Sequence, residues 1–164
     1  MRAAFYSYPS AFQNPGGGEV QLIKTGEYLR KAGVEVKLFD QWKDKLEDFD
    51  ILHVFGSVKD CTGLMAAARN RGVKVVLSPI FWSGLKRALR EEGDILKKTG
   101  LLARHAVKRV FPYFPSGRRE TMELSDIMLP NSIMEAEQIT KLFGISRRKM
   151  AVVPNGVDLR FMEA

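Results

Sequence analysis

The chain has 164 residues, a net charge of +7 from 26 basic and 19 acidic side chains, and 45% hydrophobic residues, which suits one domain with a real core and excludes a disordered chain. One cysteine, Cys61, excludes a disulfide framework and makes the cytoplasm the default compartment; two histidines, His53 and His105, without a carboxylate cluster beside them exclude a zinc site of their own. No run is apolar and long enough to cross a bilayer, and because the N-terminus reads directly as a strand no signal peptide is expected.

Residues 1–8, with Ala3-Ala4-Phe5-Tyr6, read as a buried first strand. Asn14-Pro15-Gly16-Gly17-Gly18-Glu19 follows, and residues 20–32 read as a helix with Leu22, Ile23, Gly26 and Leu29 on one face. Strand, glycine-rich turn and helix together suit an anion, because glycine permits close backbone approach and the first turn of a helix directs unpaired N–H groups outward. A tight turn that needs positive φ and binds nothing is the competing reading. Glycines at Gly33, Gly72 and Gly144 read as helix stops. Strands are expected at 34–39, 50–55 and 73–77, with a helix carrying Cys61, Leu64, Met65 and Ala68 between the last two. This β-α-β-α-β series predicts an α/β, Rossmann-like doubly wound parallel sheet.

Residues 85–119 break the alternation. They hold ten of the basic residues and three of the acids, so the whole excess of +7 lies there, beside Phe111, Tyr113 and Phe114. A basic amphipathic helix is expected at 96–110, within an insertion at the strand-end side of the sheet. Residues 126–129 then read as a strand ending in Pro130-Asn131. Ser132 and Glu135 read as a capping box for a helix bearing Ile133, Ala136, Ile139 and Phe143. A last strand is expected at 149–153, and 159–164 read as the start of a further portion of a longer protein.

Three phosphate motifs can be weighed. Lys24-Thr25 lies inside a helix after Ile23, so a Walker A loop fails. A dinucleotide fingerprint opens with Gly16 and Gly18 but meets Gln21 where its third glycine belongs; Asp40 could still hold a ribose, so a nicotinamide- or flavin-binding domain stays open. Asp48-Phe49-Asp50 precedes a strand and reads as solvated turn carboxylates. His53, near the carboxyl end of the third strand, reads either as a hydrogen-bonded core residue or as a catalyst, and Cys61 reads as core.

In order, these residues resemble one family. Pro15-Gly16-Gly17-Gly18-Glu19 resembles the Pro-Gly-Gly-x-Glu loop of the retaining glycosyltransferases with two Rossmann-like domains, the GT-B enzymes of the family 4 or group 1 type, which include bacterial mannosyl- and glucosyltransferases. Phe49-Asp50-Ile51-Leu52-His53 resembles that family's third strand, and the stretch from Ser125 and Asp126 to Asn131 and Ser132 resembles its Ala-Asp-x-x-x-x-x-Ser strand. Val152-Val153-Pro154-Asn155-Gly156-Val157-Asp158 is similar to its interdomain segment. The resemblance covers the family's N-terminal domain, here 1–158, and is weakest between 81 and 120.

It implies transfer of a sugar from a nucleotide-sugar donor to an acceptor with retention of configuration. The donor nucleotide would sit mainly on a C-terminal domain, so this chain alone is expected to fold and to transfer no sugar. Gly16, Gly17 and Gly18 would face the donor diphosphate, with the amides of Gly16 and Gly17 stabilising charge. Glu19, Ser78, Asn131 and Asn155 would border the acceptor cleft. His53 is the catalytic candidate, while Ile80 stands where many members have a histidine. No metal and no tightly held cofactor are expected. Lys97, Lys98, Arg104, Lys108 and Arg109 would meet a sugar, lipid-linked or anionic acceptor, or an anionic membrane at its cytoplasmic face; nucleic acid is not expected. A non-catalytic carbohydrate- or partner-binding module is the remaining alternative.

Overall fold

The computed structural model describes residues 1–82, 94–110 and 116–156. The aromatic run at 111–114, the end of the interdomain motif at 157–158 and the segment 159–164 lie outside the described residues, as do the side chains of Arg104, Lys108 and Arg109.

Five strands form one all-parallel sheet: β1 (Arg2–Tyr6), β2 (Glu35–Leu38), β3 (Ile51–Phe55), β4 (Lys74–Ser78) and β5 (Ile127–Met128), in the order β2-β1-β3-β4-β5. The helices are α1 (Gly17–Lys31), α2 (Thr62–Asn70), α3 (Ile95–Val110), α4 (Gly117–Leu124) and α5 (Ile133–Phe143). This is the expected Rossmann-like α/β fold. Strand order reverses direction between β1 and β3, so the loops leaving these two strands open a crevice at the carboxyl edge.

Alternation along the strands explains the two-sided core. Ala3, Phe5 and Phe55 pack with Leu22 of α1 and Val36, while Ala4, Leu52, Val54, Val75 and Leu77 pack with Met65, Ala68, Met122 and Ile139. Gly26 lets α1 lie close to the sheet: a Cβ there would sit 3.6 Å from both Phe5 and Val36. Gly33, Gly72 and Gly144 all have positive φ just past helix ends, as their spacing predicts.

The amino edge is tied by carboxylates. Asp50 Oδ2 accepts the Arg2 N–H at 2.7 Å, and Asp126 Oδ2 accepts the Val75 N–H at 2.7 Å, so each aspartate holds the first residues of the adjoining strand. Asp50 is therefore a strand-end clamp.

Four expectations about elements need correction. α1 begins at Gly17, not at residue 20, because the Glu19 carboxylate accepts the Gly16 N–H at 2.7 Å and caps a helix that has the glycines in its first turn. No strand forms at 149–153: Met150 makes a single bridge to Met128, and the N–H groups of Ala151 and Val153 bond Met128 and Pro130. The capping box of α5 is half formed; Ser132 Oγ accepts the Glu135 N–H, but the Glu135 carboxylate reaches Asn131 and Phe81 instead of Ser132. Finally, α4 arises inside the basic stretch, with Ser116 Oγ accepting the Arg119 N–H.

α4 sits hard against the turn before α2. A Cβ on Gly117 would lie 2.7 Å from Lys59 Cβ, too close to be absorbed by a flexible side-chain tip. Gly117→Ala is expected to push the first turn of α4 outward and to cost about 1–3 kcal/mol, measured by urea denaturation.

Candidate functional site

At the crevice the exits of β1, β3 and β4 and the starts of α1 and α4 enclose a cavity of about 330 Å³. Ser7, Tyr8 and Asn14 line it from the β1 side, Gly16 to Glu19 from α1, Phe55 to Val58 from the β3 exit, with Ile80 and Arg118 completing it. Ser7 Oγ donates to the Phe55 carbonyl at 2.9 Å and joins the first two walls. A larger hollow of about 650 Å³, between Phe39, Leu46, Leu64 and Arg71, is lined by none of the candidate residues, although Asp40 adjoins it.

The glycine stretch divides into three distinct positions. Gly16 has ordinary negative φ, and its N–H is already taken by Glu19, which leaves it less free for a ligand than the resemblance implies. Gly17 and Gly18 are the first helical residues, whose N–H groups no intrahelical carbonyl can accept. A Cβ on Gly17 would meet nothing within 4 Å, whereas one on Gly18 would lie 3.3 Å from Ile80 Cδ1. None of the three has positive φ, so the tight-turn reading loses its premise.

Glu19 is buried. Besides Gly16 it accepts the Tyr8 hydroxyl at 3.3 Å. The Gly16 N–H holds its carboxyl below the usual carboxylate range, against the opposing pull of burial. Its negative charge and the N-terminal end of α1 compensate one another. Arg118, exposed at the rim, donates from Nε to the Ser57 carbonyl at 3.2 Å and lies 5.2 Å from the Phe81 ring centroid. Desolvation draws its pKa down from the usual arginine value.

Other candidates are placed elsewhere. His53 and Ser78 meet in the interior, Nε2 to Oγ at 2.9 Å, with the imidazole stacked on Phe55 at 4.2 Å and edge-on to Phe5. Neither lines the cavity. Asn131 forms a reciprocal amide pair with Gln21, at 2.9 and 3.2 Å, which gives the residue at the missing third glycine a packing role. Asn155 is exposed, and Asp40 accepts the Trp42 N–H in a local turn. Lys97 is exposed on α3. Lys98, also on α3, is half-buried. Among the described residues no three His, Cys, Asp or Glu side chains converge as a metal would require.

Sequence reading missed Arg118 and Tyr8 as members of the site. Arg118 was hidden in the bulk charge of 85–119; the one local signal was Ser116-Gly117 as a helix start, which places Arg118 in a first helical turn.

Burial pulls the His53 pKa down to about 3. The folded protein thus keeps the ring neutral, while the unfolded chain binds a proton below about 6.5, so stability falls as pH drops from about 6.5 towards 3. The loss should reach about 2 kcal/mol at pH 5. Comparing urea midpoints at pH 7 and pH 5 will show it, and His53→Gln should remove most of the difference.

Compared with protein families, residues 39–161, about three quarters of the chain, match the model described as Glycosyltransferase Family 4. The glycine stretch lies before the matched region. No curated protein matches.

Proposed function

The chain belongs to glycosyltransferase family 4, and on that premise we propose that it is the acceptor-side half of an enzyme moving a sugar from a nucleotide-sugar donor to an acceptor with retention of configuration. The observation that carries this reading to the crevice is Gly17. It has neither positive φ nor any neighbour within 4 Å of a Cβ, so the fold does not require glycine there. What benefits from the missing side chain is a group from outside this chain that approaches the backbone. The open N–H at the start of α1 and the Arg118 guanidinium beyond it favour an anion, and a donor diphosphate fits that charge.

In this reading the residues act by position and charge. Gly17 leads the contact with the diphosphate, Gly18 borders it, and Gly16 serves through its bond to Glu19. The donor nucleotide rests chiefly on a second domain following 1–158, and no metal or tightly held cofactor takes part. The protein works in the cytoplasm. His53 serves structure, since its neutral ring is spent on Ser78, and Ile80 leaves the end of β4 without the imidazole of other members.

Gly17→Val tests the reading. In the full-length protein it should fold with an unchanged urea midpoint and lose transfer from whichever nucleotide sugar a screen identifies, by about 100-fold or more. Wild-type kinetics in the folded variant would reduce the stretch to a helix start.

A second observation bears on the acceptor. Along α3, Leu96, Ala103, Val107 and Val110 share one stripe, and all are exposed. Lys97, about 100° round the helix from Leu96, flanks the stripe and is exposed as well. Among the described residues no helix is long and apolar enough to cross a membrane. An exposed apolar stripe on a basic helix suits the surface of an anionic bilayer, and hence a lipid or lipid-linked acceptor. Sedimentation with vesicles checks this: the protein should pellet with anionic and not neutral lipid. Replacing Lys97, Lys98, Arg104, Lys108 and Arg109 by glutamate should abolish pelleting.

A further inference from the structure

Ile80 is the one non-glycine with positive φ among the described residues, at +46°. A β-branched side chain in the left-handed region is strained, and such strain persists only where the surroundings impose it. Two hydrogen bonds impose it here. On one side the Pro79 carbonyl accepts the Ser57 N–H at 3.1 Å. On the other the Phe81 N–H donates to Glu135 Oε1 at 2.6 Å. The second oxygen of Glu135 accepts the Asn131 N–H, also at 2.6 Å.

Glu135 is only 3% exposed, and both its oxygens are spent on main-chain groups from different loops. Burying a carboxylate is costly, and capping α5 does not require it, since Ser132 already accepts the Glu135 N–H. What the carboxylate adds is a fixed distance between the exits of β4 and β5. The Phe81 ring reinforces that distance by its edge-on contact with Phe143, 5.2 Å between centroids.

We propose that Glu135 is a positioning residue: it holds the strained turn at Ile80 so that the isoleucine side chain covers Gly18 and leaves Gly17 as the open amide of the cavity. Ile80 is then the specificity-determining residue. It admits an anionic group at Gly17 and meets the next part of the ligand with an apolar surface. This consequence rests on the anion reading of the glycine stretch; the coupling between Glu135 and Ile80 does not.

A double-mutant cycle separates the two. Glu135→Gln leaves one acceptor oxygen for two N–H groups and turns an NH2 towards one of them, so the folding equilibrium constant should fall about tenfold or more. Ile80→Gly accepts the positive φ without strain. If Glu135 exists to hold that strain, the loss from Glu135→Gln should shrink by roughly threefold or more in the Ile80→Gly background. Additive effects overturn the proposal.

Backbone amide spectra during titration with inorganic pyrophosphate then test the consequence. In the wild type the Gly17 resonance should move and Gly18 should not; in Glu135→Gln both should move. Equal movement in the wild type overturns the proposal. Silence at both glycines beside a non-additive cycle leaves Glu135 as the positioning residue and removes the anion reading. Should Glu135→Gln fail to fold, hydrogen exchange in the wild type decides. The Phe81 and Asn131 amides lie outside any strand or helix and should exchange as slowly as those of β4; exchange at loop rates overturns the proposal.

Discussion

Backbone N–H groups near strand ends, in the loops and at helix starts need acceptors that the sheet ladder does not supply, and in this protein carboxylates accept several of them at both edges of the sheet. Asp50 and Asp126 take the Arg2 and Val75 amides at the amino edge, while Glu19 and Glu135 take those of Gly16, Phe81 and Asn131 at the carboxyl edge. A charged acceptor gives a stronger bond than a neutral one, and Asp50, Asp126 and Glu135 each reach a segment distant in sequence. At the carboxyl edge Glu135 ties the exits of β4 and β5 to one another.

The same bonds decide which donors remain for a ligand. Glu19 takes the Gly16 N–H, and a Cβ on Gly18 would lie 3.3 Å from Ile80 Cδ1 while one on Gly17 would meet nothing within 4 Å. A stretch of three glycines thus becomes three different positions: one whose N–H is capped, one with open space beside it and one against Ile80. The cavity is charged by few groups, with Glu19 turned inward to the helix start and Arg118 at the rim. The chain's membership of glycosyltransferase family 4 rests on residues 39–161, which include the exits of β3 and β4.

His53 shows how an ionisable group near a site can belong wholly to the core. The Ser78 hydroxyl meets its Nε2, aromatic rings flank it on two sides, and burial keeps it neutral across the range in which enzymes work. Its place near the strand end made it a candidate. The alternation of a β-strand decided otherwise, because His53 and Phe55 share a face and the bulkier Phe55 lies between the ring and the crevice.

Period and punctuation in the sequence determined the sheet. Buried runs for β1, β3 and β4, and glycines at 33, 72 and 144 where helices must stop, are local properties, so the α/β class and the element order could be read directly. The glycine-rich entry into α1 was legible for the same reason, though not that its glycines form the first helical turn. Contacts between distant segments were not. Glu135 reads as half of a capping box until Phe81, 54 residues earlier, supplies a nearer donor; Gln21 reads as a failed fingerprint until Asn131 faces it; and Met150 lacks a strand because only one bridge to the two-residue β5 is made. Arg118 and Ile80 enter the cavity through the packing of α4 on Lys59 and the strained exit of β4. Tertiary structure decided these, since a side chain's partner is set by which loops the sheet brings to one edge, and no window of sequence contains both.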